Sequence, residues 1–435
     1  MFEMIELILT IKTNKEMKAL IKRIGIAVLL VALFSGVTDV FAQNEGKFFT
    51  ISGTVKDKSS RKNLEYVNIS VPGSNLSSIT NEEGYFVLKV KDSIQARAIE
   101  FSRIGYFSTS IPVNGNDLPD QTFYLTPNDK QLKEVIVESW ENPEDLVREA
   151  LRRVPDNYSR KPDLLTGFYR ETVQKSRKFI NISEAVINIY KSSYNNSVIG
   201  DRVQIFKGRK LITTRVSDTL AVKLLGGPNL SIYADFVKNL DILFDPESLP
   251  NFIFKMEDPK FLDNRQQYVL SFTPAVILPY PLYYGTLYID KETLSFTRAE
   301  FYLDMKDRNK ATDAILRKKP AGLRFKPDEV FFVVSYKQRE GISYLNYIRN
   351  EVKFKCDWSR RLFSTNYTVM SEMVVTESKE DMITNIPRKE SFNERESLSD
   401  KVMNFYDDNF WGAYNIIEPT ESLESAVNKL KKEYK

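Results

Sequence analysis

Apolar residues recur at every second position through two long stretches of this chain, and that period constrains the fold before any single residue is weighed. In residues 50–55 and 65–71 the alternation runs to turn formers, Lys56-Asp57-Lys58-Ser59-Ser60 and Pro72-Gly73-Ser74-Asn75, as half-buried strands do. Residues 78–90 predict a hairpin, with Asn81 seeding the turn and Gly84 free to take positive φ. Residues 98–106, 110–113 and 122–125 bring the count to about seven short strands, the spacing of a β-sandwich. From Asn157 the period returns to two and holds for most of the remaining chain.

The first stretch resembles the carboxypeptidase regulatory-like domain. The residues that carry the likeness are Gly53-Thr54-Val55, Tyr66-Val67-Asn68-Ile69-Ser70-Val71-Pro72-Gly73-Ser74, Thr80-Asn81-Glu82-Glu83-Gly84-Tyr85-Phe86, Phe101-Ser102-Arg103-Ile104-Gly105-Tyr106 and Phe123-Tyr124-Leu125. The resemblance implies a transthyretin-like sandwich at 49–126 that accompanies other domains in Gram-negative envelope proteins; it does not imply a peptidase. Residues 131–138 resemble the stretch after the same domain in TonB-dependent receptors. No barrel-length series of strands with an aromatic girdle follows, so an edge strand or linker is expected at 127–140.

The 435 residues include no histidine. That removes Ser-His-Asp and Cys-His nucleophiles, His-containing zinc sites and the side chain best suited to proton transfer near neutrality. One cysteine, Cys356, excludes a structural zinc cluster and an intrachain disulfide; Val352, Phe354 and Cys356 share one face of an expected strand, so a buried thiol is expected. No cofactor and no metal are implied. Lys and Arg outnumber Asp and Glu by only four, so the net charge does not call for nucleic acid.

Lys18, Lys22 and Arg23 precede an apolar stretch from Ile24 to Phe34, and Val40-Phe41-Ala42 ends in a small residue. This is the pattern of an export signal at 1–42 cut between Ala42 and Gln43, with Met17 the expected start. The expected location is the periplasm or the periphery of the outer membrane.

The expected larger domain covers 141–435, a β-rich α+β unit with a helical insert and a C-terminal helix, its sheet open as a half-barrel. Asn142, Pro143, Glu144 and Asp145 start a helix that Pro155 ends, with Leu146, Val147, Ala150, Leu151 and Val154 on one face. A long antiparallel meander follows, interrupted at 221–249, where Gly226-Gly227-Pro228-Asn229 breaks the chain before a helical or mixed insert. Residues 305–326, dense in Lys and Arg, and 377–400 are expected to be solvated loops, the basic one suited to anionic headgroups. Residues 284–290 and 297–301 resemble strand pairs of periplasmic lipoprotein carriers, whose concave face would hold acyl chains.

Several clusters are candidate sites. Tyr169, Arg170 and Glu171 lie on the opposite arm of one hairpin from Glu184, and convergent paired carboxylates are what glycoside hydrolysis needs, but the register cannot be read from the sequence and cross-strand salt bridges explain these residues better. Residues 407–415, with Trp411 and Tyr414, offer acids for a cation and aromatics for stacking a sugar, but they lack a full calcium-loop spacing and precede the last helix, which favours a packed latch. Ser93 and Thr219 lie in short Asp-Ser/Thr-apolar sequences that resemble O-glycosylation sites of exported bacterial proteins. From signal to Phe410-Trp411-Gly412-Ala413-Tyr414-Asn415, the chain resembles exported regulatory-like-domain proteins of Gram-negative bacteria. The reading is a non-catalytic envelope protein, a sandwich joined to a domain that binds an envelope protein, an apolar or lipid ligand, or a glycan. A lipid or lipoprotein carrier and a carboxylate-dependent glycan hydrolase are the alternatives, and peripheral membrane association is compatible with all three.

Overall fold

The computed structural model describes residues 47–128, 140–214, 222–224, 226–243, 245–358, 364–379, 383–393, 396–404 and 410–433. The expected signal with Ala42 and Gln43, most of the 127–140 linker, Thr219 and Asp407 to Asn409 lie outside them.

Seven strands come first: β1 (Phe48–Asp57), β2 (Asn68–Ser70), β3 (Ser77–Ile79), β4 (Tyr85–Lys91), β5 (Ala98–Ser102), β6 (Thr109–Pro112) and β7 (Leu118–Leu125). They form two sheets, ordered β4-β1-β7 and β3-β2-β5-β6. Ile51, Val55, Ile69, Phe86, Leu88, Phe101 and Phe123 interdigitate as their shared core. The hairpin expected over 78–90 is a correction: β3 and β4 belong to different sheets, and the turn carries the chain from one to the other. The turn chemistry itself is as the residues suggest. Asn81 Oδ1 accepts the amides of Glu83 and Tyr85, and Gly84 has φ +74° where a Cβ would meet the Val55 carbonyl at 2.9 Å.

The remaining strands are β8 (Asp163–Lys175), β9 (Lys178–Lys191), β10 (Arg202–Ile212), β11 (Lys223–Leu224), β12 (Phe252–Leu262), β13 (Arg265–Pro274), β14 (Tyr283–Asp290), β15 (Phe296–Leu303), β16 (Leu316–Lys318), β17 (Leu323–Arg339), β18 (Ile342–Trp358), β19 (Thr365–Lys379) and β20 (Met403–Asn404). All but β11 and β16 join one open sheet, ordered β12-β13-β14-β15-β17-β18-β19-β8-β9-β10-β20, antiparallel up to the parallel β10-β20 contact. Among the described residues the sheet stays open, with β12 and β20 at the two ends of its order and not paired with each other. The meander of β12 to β19 turns back onto the earlier β8-β9 hairpin, whose turn residues Ser176 and Arg177 both have positive φ.

One face of this sheet is an apolar core. Tyr169, Ile187, Leu270, Phe272, Leu287, Phe301, Phe332, Val334 and Met373 meet the helix Pro143–Arg152 and the insert around Pro228–Tyr233. Phe236 of the insert sits edge-on to Phe296, Phe301 and Tyr336. Asn142 caps the first helix through the Glu144 amide, and Pro155 opens a second short helix, Val154–Asn157, besides closing the first. Behind the insert, Lys191 is bonded to Asp201 and Asp235 at 2.9 and 2.7 Å, and Lys238 to Asp201 at 2.6 Å, while Tyr194 and Tyr336 donate to Asp235. Burial opposes the Lys191 charge, yet the two carboxylates outweigh it and hold the ammonium above its ordinary value. Lys238 goes the other way, to about 8, by burial and the neighbouring Lys191 charge.

The 305–326 segment corrects a second expectation. Asp307 caps a helix, Arg308–Ile315, by accepting the amides of Asn309 and Lys310, and β16 pairs with β11. Ala311 and Ile315 give this charged stretch enough apolar surface to pack, which its composition conceals. Val222, Leu323, Phe354 and Cys356 pack as a satellite cluster. The last helix, Glu421–Glu433, lays Leu423, Val427 and Leu430 on Ile182 and Leu211.

Candidate functional site

The other face of the sheet carries a cross-strand row of alternating charge. Register pairs Arg209 with Glu184, Glu184 with Arg170, Arg170 with Glu372 and Glu372 with Arg349, so five neighbouring strands place alternating signs side by side. Arg170 Nε donates to Glu184 at 2.8 Å and its Nη1 to Glu372 at 3.1 Å, while Arg209 Nε donates to Glu184 at 2.7 Å. Arg170 is 2% exposed, and buried charge is tolerated only when every partner is in place. Burial works against ionised Glu184, but Arg170 and Arg209 outweigh it and pull its carboxyl below the ordinary value.

What covers the row comes from both ends of the chain. The Ile417 carbonyl accepts from Arg170 Nη2 at 2.7 Å, and Trp411 lies edge-on to Phe168 with the Arg209 guanidinium 4.8 Å from its ring centre. Tyr414 packs against Phe206 at 5.6 Å. From the sandwich, Glu82 accepts from Arg349 at 2.7 Å and Tyr66 lies 5.7 Å from Tyr347. Sandwich and C-terminal segment also hold each other: Asn415 bonds the Lys89 backbone in both directions, and Glu83 accepts the Glu421 amide. Ser77 donates to the Val375 carbonyl and Gly105 to that of Phe261, so the sandwich is fastened to the sheet at several points. From Phe48 onward the chain is one compact unit.

The candidate residues divide between the faces. Arg170, Glu184, Trp411 and Tyr414 come together on the charged face. Tyr169 and Glu171 do not, because neighbours in a strand alternate: Tyr169 lies in the apolar core, and its hydroxyl donates to Glu171 at 3.0 Å. Glu171 pairs in register with Ser183, so Glu171 and Glu184 lie on opposite faces and cannot flank one glycosidic bond. Burial raises the Glu171 carboxyl, with the Tyr169 hydroxyl and the Gly227 amide opposing it. Ser93 is exposed in a short 3₁₀ turn, Asp92–Ile94. Arg209, Glu372 and Arg349 escaped the sequence reading. Each stands at a polar position of an alternating strand, but nothing in the one-dimensional pattern shows that their strands are neighbours.

Beyond Arg349 the sandwich and the sheet part to leave a cleft of about 580 Å³. Arg298, Lys337 and Tyr347 line its floor, and Tyr66, Asn68 and Arg103 line its roof. Arg298 is bonded to Glu300 at 2.6 Å. Burial lowers Lys337 to about 8, with Asp263 and Glu100 pulling against it. Asn68 Oδ1 and Arg349 Nε are buried in the cleft wall without a hydrogen-bond partner. Among the described residues no acidic, cysteine or histidine cluster has the makings of a metal site.

Residues 51–137 match the family model of the CarboxypepD_reg-like domain, which supports a domain of that kind in the first part of the chain. No curated protein matches the chain. Among solved structures, a DUF1329 family protein from Desulfovibrio piger is 14% identical, covering 56% of this chain and 95% of that one at a TM-score of 0.24. A LolA superfamily protein from Nitrosomonas europaea is 12% identical, covering 57% and 98% at 0.19. A putative membrane-associated protein of unknown function from Bacteroides fragilis is 12% identical, covering 77% and 99% at 0.15. Likenesses at these scores carry no argument about this chain.

Proposed function

We propose that this chain is a non-catalytic protein of the cell envelope whose sandwich and open sheet act as a clasp, holding a polar, charged ligand or partner segment in the cleft between them. The observation that carries the reading is the cleft itself, where Arg103, Arg298 and Lys337 stand among the acids Glu65, Glu82, Asp263 and Glu300 around space large enough for a ligand. The envelope location rests on the signal pattern ending at Ala42 and on the family resemblance. The absence of histidine and the tying of Glu184 to two arginines support a binding role over a catalytic one. An acyl-chain carrier is disfavoured because the apolar face is filled by the chain's own Phe236, Phe272, Phe301 and Phe332.

Native mass spectrometry with organic extraction, on protein purified gently from bacteria, tests the reading. A polar adduct present on the wild type and lost from Lys337→Met is expected. An apolar adduct indifferent to Lys337→Met would replace the clasp with a carrier, and a protein that always arrives empty would leave a scaffold.

A further inference from the structure

Large apolar side chains are exposed in few places among the described residues, and five of the nine collect at one corner of the sheet. Ile277 is 93% exposed, Ile253 61% and Tyr280 59%, with Val276 and Tyr284 beside them. The corner is held in shape. The Ala275 amide donates to the Asn251 carbonyl at 2.7 Å, and Lys310 Nζ donates to the Leu278 carbonyl at 2.7 Å, which ties the tip to the Arg308–Ile315 helix. That helix starts from the end of β15 and leads to β16, beside β17 and β18. It therefore crosses the same end of the sheet, about 19 Å from β13 to β18 at one strand spacing per step. Residues 305–326 carry eight basic side chains against two acids, Asp307 and Asp313, a net charge of +6. Lys306, Arg308, Arg317, Lys318, Lys319, Arg324 and Lys326 are all exposed.

We propose that this end of the sheet docks on an anionic lipid surface, with the 275–282 tip entering the headgroup and upper acyl region and the 306–326 ridge resting on the anionic headgroups. Apolar area presented at a fixed tip gives insertion, and adjacent cations give attraction to anionic lipid; neither alone holds a protein on a bilayer. A second copy of the chain is a poor occupant, because two ridges of net charge +6 would face each other. The site lies apart from the cleft, on the opposite side of the Tyr284-Tyr302-Phe331 aromatic ladder from the sandwich contacts, and does not depend on what the cleft holds.

A fluorophore sensitive to polarity, attached at Ile277→Cys in the full chain, reads this directly. Cys356 is buried with its thiol pushed up to about 11 by burial and the Asp357 charge, so position 277 is the reactive one. The same label at Ser93→Cys reports an exposed turn on the sandwich and discounts any contact made by residues 1–46. With vesicles of about 30% phosphatidylglycerol in phosphatidylcholine, the label at 277 should move into an apolar environment while that at 93 does not. Arg317→Glu with Lys318→Glu and Lys319→Glu should weaken the partitioning roughly tenfold or more, with the circular dichroism unchanged. A label at 277 that stays water-like, that responds equally to neutral vesicles, or that shifts without vesicles as protein concentration rises would overturn the proposal, the last in favour of a second copy.

Discussion

The two faces of the large sheet are built from the same strands and both bury apolar side chains, yet only one of them carries a buried cross-strand row of alternating charge. Tyr169, Ile187, Phe301 and Phe332 face helices and an aromatic insert, and their contribution comes from packing that needs no particular partner beyond shape. Arg170, Glu184 and Glu372, on the opposite face of the same sheet, face a sandwich and a C-terminal segment, and each is tolerable only because a specific opposite charge lies beside it. Packing stabilises both faces, through Phe168, Val186, Val374 and Trp411 on the charged one; the charge row adds a demand for one register and one way of docking the sandwich and the C-terminal segment.

Two substitutions set the faces against each other with the largest effects. Phe236→Ala should cost about 3–5 kcal/mol in urea unfolding, by opening a cavity among Phe296, Phe301 and Tyr336. Arg170→Met should cost a similar ~3–5 kcal/mol, because Glu184 and Glu372 are left buried without it. They part as pH falls. The depressed carboxyl of Glu184 contributes stability that is present above the ordinary glutamate value and lost as pH drops through its own lower value, so the Arg170→Met penalty should shrink in acid while that of Phe236→Ala stays. Equal pH dependence of the two would show that the row is not ionised in the folded protein.

Glu418, at the rim of the charged face beside the Arg170 crevice, sharpens the contrast at smaller scale. Burial raises its carboxyl to about 7, with Arg170 and Lys89 pulling down. Between the ordinary glutamate value and about 7 the folded state holds a proton that the unfolded chain releases, so this group's contribution falls as pH rises through that window. Glu418→Gln should therefore flatten the decline and add on the order of 1 kcal/mol at pH 8, as read from urea midpoints against pH. The smallest effect belongs to the sandwich edge. Lys91 and Glu377 are bonded at 2.6 Å but partly exposed, and Lys91→Ala should cost less than about 1 kcal/mol.

Some of this was legible in one dimension. The alternation in residues 167–175 and 178–190 marks two strands, and Ser176-Arg177 between them marks the turn, because side-chain direction in a strand follows from position alone. Trp411 could be placed in a latch because its segment lacks a full calcium-loop spacing and stands just before the last helix. The charge row could not be read. Placing Glu372 beside Arg170 requires knowing that β19, some two hundred residues later, pairs with β8 rather than extending the meander. The helix Arg308–Ile315 was hidden for another reason: its few apolar residues dock on a neighbour that the local pattern does not include.

The sequence by itself determined the β class, the likeness of residues 49–126 to a regulatory-like domain, the exclusion of histidine chemistry and the burial of Cys356, since period and composition are local properties. Tertiary structure decided which charges meet, which face each carboxylate occupies, where the cleft opens and how both ends of the chain close over Arg170. The reason is that strand register and sheet order are set by the pairing of distant segments, and a shift of one residue would exchange the two faces of the sheet.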